Sequence, residues 1–266
     1  TFASSASAVA MSPDLATSNG YGVLAATATV TNETHIAGNL GSGGITGTAD
    51  VNGTTDIASS AYTNAFTDFG VALDYVNSQP ADYTNAPTDL GGKTVIPGVY
   101  DFTGAVNIGS KTVLNGNGVY IFRVAGELKT AANTQVVLQG GAQACNVFWV
   151  ADVATVGANS TLVGTLMSES AITLGANSTV NGRAFAKTAL TANAANTNIM
   201  VPTACGAITP TTGDKPTSGI TPTDGGTSTD GGTSTDGTGK ALPNTATPFY
   251  NMLFGAIAGL VATGAI

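Results

Sequence analysis

The sequence predicts a mostly-β fold, a three-sided β-solenoid with one long α-helix alongside, and three observations predict it. Residues Ala154 to Gly164 read ATVGANSTLVG and residues Ile172 to Gly182 read ITLGANSTVNG, so that Gly157 to Gly175 and Gly164 to Gly182 both measure 18 residues. A short fixed period is the mark of stacked coils. Within each copy apolar Ala154, Val156 and Leu162 alternate with Thr155, Gly157 and Thr161, the two-residue period of strands. At about 3.3 Å per residue, one copy traces three short strands and their corners. The third observation is a change of period from about Ala58, where Tyr62, Ala65, Phe66, Phe69, Ala72, Leu73 and Val76 recur at threes and fours. That spacing predicts an amphipathic helix lying along the stack.

Taken in order, the chain opens with Thr1 to Ala8, whose Ala6-Ser7-Ala8 resembles the small-residue end of a secretory signal peptide. An ordinary unstructured N-terminus explains the same residues. Tyr21 to Asp50 reads as a first coil, with Val23, Leu24, Val30 and Ile36 as core and Gly38, Gly41, Gly43 and Gly44 as breakers. The helix follows, with Thr55 or Asp56 as its cap and Pro80 beyond its end. An irregular crossing is expected over 77–92, after which Thr94 to Ile96, Val99 to Phe102, Val113-Leu114, Val119 to Phe122, Val136 to Leu138 and Val147 to Val150 read as strands.

The regular repeats then carry two full copies and a looser third from Leu190 through Asn196 to Ile199. An upstream relative, Leu128 to Asn133, precedes the first by 26 residues, as if eight extra residues entered one turn. Stacking puts Thr155 beside Thr173 beside Thr191, and Asn159 beside Asn177, at about 4.8 Å. Thr155 and Thr173 face outward because Val156 and Leu174 belong to the core, whereas Thr165 is expected on another face.

Composition narrows the function. Charged residues are 9% of the 266, against roughly 25% in ordinary domains, so Thr, Ser, Asn, Gly and Ala must build the surface. A net charge of -8 with eight Lys and Arg and no basic cluster excludes a nucleic-acid partner. Two cysteines and one histidine, His35, are too few for the usual zinc site, and no metal or cofactor is expected. Cys145 and Cys205 read either as a disulfide, in keeping with an oxidising destination, or as two thiols that merely pack. Polysaccharide-active β-helix enzymes need paired carboxylates, and between Val99 and Cys205 the acids Asp101, Glu127, Asp152 and Glu169 are scattered singly. The chain is therefore not expected to be an enzyme.

Several pieces spread over residues 15 to 205 carry a resemblance: Gly22-Val23-Leu24-Ala25, Gly38-Asn39-Leu40-Gly41, Asp89-Leu90-Gly91-Gly92, Pro97-Gly98-Val99-Tyr100, Tyr120-Ile121-Phe122, Cys145 to Trp149, Val180 to Ala184 and the closing Cys205. In these the chain resembles the microbial ice-binding protein family with a discontinuous β-solenoid. The resemblance implies a right-handed solenoid of triangular section, an N-terminal coil packed against the last C-terminal one, and one flat face that binds ice. Family members often show Thr-(Ala or Gly)-X-(Thr or Asn) on that face, which Thr130-Ala131-Ala132-Asn133 fits. Val156-Gly157-Ala158-Asn159 and Leu174-Gly175-Ala176-Asn177 lack the leading Thr.

The candidate ice face is accordingly Thr155, Thr173 and Thr191, with Gly157, Asn159, Gly175 and Asn177, the third-copy Asn193 and Asn196, and Thr130, Ala131 and Asn133. Aligned through Asn133, Thr130 falls in the column of Val156 and joins the wall only if the extra residues shift its coil. Physically, ranks of rotamer-restricted Thr can hold water in an ordered array with little entropy left to lose. Thr also favours strands for ordinary reasons, and Asn and Gly turn corners. A cell-surface adhesin or passive surface module remains the alternative.

Residues 1–8 are thus read as a signal-peptide remnant, 9–205 as the ice-binding solenoid, 206–240 as a flexible Thr/Gly/Asp-rich linker and 241–266 as a sorting signal and apolar anchor. Leu242-Pro243-Asn244-Thr245-Ala246 resembles a sortase signal with Ala246 where Gly is usual. The apolar run Phe249 to Ile266 is just long enough to span a bilayer, which is the other reading of the tail. The expectation is a secreted or cell-surface monomer whose partner is an ice crystal, tethered to cell wall or membrane.

Overall fold

The computed structural model describes residues 9–84, 86–203 and the backbone of 220–222. Its strands are β1 Tyr21–Val30, β2 Thr34–Ala37, β3 Asn39–Thr46, β4 Asp50–Val51, β5 Thr55–Ile57, β6 Tyr83–Thr84, β7 Lys93–Val95, β8 Gly98–Phe102, β9 Val106–Ile108, β10 Thr112–Asn115, β11 Tyr120–Thr130, β12 Val136–Gln139, β13 Val147–Val156, β14 Thr161–Leu174, β15 Thr179–Ala192, β16 Thr197–Met200 and β17 Ile220–Pro222, with helix α1 at Ser60–Ser78. All strand pairs are parallel except β17 with β7.

The 18-residue period appears as register: Thr161↔Thr179, Gly164↔Gly182 and Thr173↔Thr191 pair between β14 and β15. β14 turns two corners of its coil, at Gly164, whose φ of 113° only glycine adopts freely, and near Glu169-Ser170. The third corner follows at Gly175 to Ser178. Three walls result. A helix wall contains β5, β6, β8 and the leading or middle parts of β3, β1, β15, β14, β13 and β11. An open wall contains β9 and the ends of β11, β13, β14, β15, β1 and β3. A third wall runs β4, β2, β16, the starts of β15 and β14, and past the Gln135↔Thr161 bridge into β12, β10 and β7.

Stacking does not follow chain order. β1 pairs with β15 on one side and β3 on the other, so the N-terminal coils are laid beyond the last C-terminal coil. α1 then carries the chain from β5 at one end of the stack to β6 at the other; its 19 residues span about 28 Å. Ala65, Phe69, Ala72, Leu73 and Val76 bury its inner stripe against Leu24, Ile121, Phe148, Val150, Met167 and Phe185. The N-cap is Ser59, whose Oγ accepts from Tyr62 N at 3.1 Å. Thr55 and Asp56, the caps expected from the sequence, instead form β5, because that strand pairs with β3 up to Ser42↔Ile57. At the other end Arg123 donates to the Val76, Asn77 and Gln79 carbonyls at 3.3, 2.8 and 2.6 Å and pairs with Asp101 at 2.6 Å. A cation there satisfies the last carbonyls and complements the helix dipole.

Inside the coils the aromatic rings stack from Tyr83 to Tyr100, Phe122 and Trp149, with centroids 4.5, 5.3 and 4.0 Å apart. The buried indole donates to Val163 O at 2.9 Å. Arg183, also buried, donates to the Asn19 carbonyl and side chain, tying the chain entering β1 to the neighbouring coil. Burial lowers its guanidinium to about 10, which leaves it charged at neutral pH.

A further expectation is corrected. Gly41, Gly43 and Gly44 are not breakers but lie inside β3, where a Cβ on Gly41 would come within 2.6 Å of Leu24 and one on Gly43 within 2.8 Å of the Ala26 carbonyl. Ile220–Pro222, within the segment read as linker, pairs with β7 at the end of the third wall.

Candidate functional site

On the open wall, strand alternation separates the residues cleanly. Ile172, Leu174, Leu190, Ala192, Ala28 and Val30 point into the core, and the residues between them point out. The outward rank nearest the corner reads Lys129↔Thr155↔Thr173↔Thr191↔Thr29↔Thr46. The second reads Glu127↔Val153↔Ala171↔Ala189↔Thr27↔Gly44. From β13 to β3 every member is uncharged and most are small. Equivalent residues along a rank repeat at about 4.8 Å, and the two ranks lie about 6.6 Å apart, two residues along each strand. This is a flat array of methyl and hydroxyl groups on a backbone that cannot flex without breaking its ladders.

The flanking corner explains most of the remaining candidates. Asn133, Asn159, Asn177 and Asn196 have φ of 60, 56, 55 and 51°, the left-handed conformation that Asn tolerates better than other side chains. Their amides form a ladder, Asn159 Nδ2 donating to Asn133 Oδ1 at 3.2 Å, Asn177 to Asn159 at 3.0 Å and Asn196 to Asn177 at 3.1 Å. Gly157 and Gly175 are required by close stacking, since a Cβ would meet Thr130 O at 2.6 Å or Ala158 N at 2.8 Å. Ala131 takes the place of Gly157 one coil earlier and is half-buried, while Asn193 takes that of Gly175 one coil later and is exposed.

Thr130 is removed from the face. It is 2% exposed, and its Oγ1 accepts from Gly157 N at 2.8 Å. The extra residues of its coil lie at Gly140 to Asn146, between β12 and β13, after the open wall has been crossed. The open-wall register is unshifted, and Thr130 stays in the inward column of Val156. Thr165 does stand on another wall but is buried against the helix side with its hydroxyl unpartnered. Thr29 and Thr46, which no repeat flagged, complete the first rank, and Thr27, equally unflagged, stands in the second. The signal for them was the implied docking of the N-terminal coil on the last one, carried through to its register.

Among the described residues no group of three or more His, Cys, Asp and Glu could hold a metal. His35 lies on β2 of the third wall with Nδ1 2.9 Å from Asp50 Oδ2, both side chains exposed. Cys145 sits in the single helical turn before β13; Cys205, the Leu242 to Ala246 motif, the apolar run from Phe249 and residues 1–8 lie outside the described residues. No helix among the described residues is long and apolar enough to cross a membrane.

The described residues thus form a parallel, three-walled solenoid with a helix sealing one wall and a Thr-ranked wall, uncharged from β13 to β3, left open. Residues 16–198 match the family described as Ice-binding-like, and the chain belongs to it. It is 40% identical over 86 residues to an ice-binding protein of Flavobacterium frigoris, covering 31% of each chain. It is also 35% identical over 121 residues to one of Flammulina populicola, covering 44% of this chain and 48% of that one. The matched segments thus span less than half the length of either relative. The fold is similar to the crystal structure of an ice-binding protein from the Antarctic ascomycete Antarctomyces psychrotrophicus, with a TM-score of 0.70 and 29% identity over 73% of this chain and all of that one.

Proposed function

We propose that the protein adsorbs to ice through the open wall, with Thr155, Thr173, Thr191, Thr29 and Thr46 as its principal rank. The observation that carries this reading is the register of five threonines on five consecutive strands, next to a second rank without charge. A β-branched side chain anchored on a ladder has little rotamer entropy to lose when its hydroxyl and the water beside it join a lattice. The asparagine amides, already bonded to one another, act as the stiff border of this array. Family membership and the names of its relatives support the same partner.

Ice-affinity partition of residues 9–224 tests the proposal. The protein should enter a slowly growing ice front, and Thr173→Tyr should be rejected from it while melting as the parent does. Equal rejection of both would leave a passive surface module as the better description.

The reading extends to location. We infer a secreted or cell-surface monomer, bridged from Cys145 to Cys205 and tethered through the Leu242 to Ala246 motif or the apolar run after it. The absence of free cysteines among the described residues supports the bridge, which in the chain-entropy account contributes roughly 4 kcal/mol for a loop of this length. Two free thiols by mass spectrometry of alkylated, secreted protein would remove it.

A further inference from the structure

The open wall is not symmetric end to end. Toward β3 it finishes on Thr46 and Gly44, but toward β11 both outward ranks change character in one strand, to Lys129 and Glu127. Both side chains are exposed. Glu127 reaches across to the next coil, where its Oε1 accepts from Thr155 Oγ1 at 2.9 Å, so the last threonine of the rank has its hydroxyl proton committed to a carboxylate. Beyond Glu127 the surface stops being flat: Thr88, Asp89, Asn107, Glu127 and Lys129 are among the residues lining a notch of about 360 Å³.

We propose that Glu127 and Lys129 set the boundary of the ice face, confining lattice contact to the ends of β13, β14, β15, β1 and β3 and making Thr155 its weakest member. This rests on the proposed ice binding and adds which residues limit it. A carboxylate and an ammonium hold their own strongly oriented hydration, and stripping it costs far more than stripping a threonine. Their long side chains also stand above a surface otherwise built from Thr, Ala, Gly and a single Val. The β11 backbone, by contrast, continues the wall without a break, since Leu128 pairs with Ala154 and Lys129 with Thr155 in the same register. The limit therefore lies in two side chains, not in the fold.

The double variant Glu127→Thr/Lys129→Thr in the full chain tests this, read by thermal hysteresis at equal molar concentration and by thermal melting. The expected result is greater hysteresis than wild type at an unchanged melt, because the face gains a sixth strand and the Thr155 hydroxyl is released. Unchanged or lower hysteresis in a folded variant overturns the boundary. Should the double threonine variant fold poorly, Glu127→Gln/Lys129→Gln removes the charges at nearly constant size. It should raise hysteresis less, and no rise there would equally count against the proposal. A wild-type chain that shows neither hysteresis nor entry into ice overturns the ice reading itself, whereas a wild type that binds with indifferent variants overturns only this boundary.

Discussion

The helix wall and the open wall are successive stretches of the same strands, with the same ladders and the same spacing, yet their outward ranks have opposite chemistry. On one, Ile121, Phe148, Val150, Met167, Phe185 and Leu24 stand outward and are covered by α1. On the other, Thr155, Thr173, Thr191, Thr29 and Thr46 stand outward and nothing in the described chain covers them. The backbone supplies periodicity to both. What the outward side chains do with it, sealing the fold or meeting an external surface, is decided by whether they can be desolvated against protein.

The sharpest way to break this contrast is on the sealed wall. Phe69→Ala should cost about 3–5 kcal/mol, because the ring is fully buried and packs on Phe185 at 5.4 Å, leaving a cavity between helix and sheet. Urea unfolding would measure it, and the fraction still folded should partition into ice like wild type. Thr165→Tyr belongs to the same wall and should cost about 1–3 kcal/mol by overpacking a site that is 1% exposed.

At the border between walls, Asn177→Ala should cost about 1–2 kcal/mol, since it puts a Cβ without a local hydrogen bond at φ 55° and breaks the ladder on both sides. Asn177→Gly accepts the conformation and loses only the amide bonds, so the difference between the two melts isolates the backbone share. On the open wall, Thr173→Tyr should change stability by only about 0.5 kcal/mol, as exposed positions do, while removing most of the hysteresis.

Much of this is legible in the sequence. The 18-residue period predicted the coils, the change of period predicted α1, and the Val156 and Leu174 columns predicted that Thr155 and Thr173 face outward. The misses share a cause, which is that a repeat reports neighbours within its own run and not what docks on it. Thr29 and Thr46 belong to the rank only because β1 is laid against β15, a pairing across about 160 residues that no local pattern encodes. Thr165 does stand on another face, but beneath the helix side, and Thr130, a candidate only if the extra residues shifted its coil, is turned inward by a register that the late insertion leaves untouched. Arg123 at the end of α1 and Arg183 on Asn19 were equally silent, because most of their hydrogen bonds go to backbone carbonyls, which carry no sequence signature.

That remote pairing supplies the most direct test of the central claim, that one face is assembled from two distant parts of the chain. Thr29→Tyr lies in the N-terminal coil, and Thr179→Tyr is its control, half-exposed on the third wall beside Asn198. Measured together for thermal hysteresis at matched concentration, Thr29→Tyr should lose activity as completely as Thr173→Tyr, while Thr179→Tyr keeps it. Full activity in Thr29→Tyr with loss in Thr179→Tyr would contradict the account and move the ice face to the third wall.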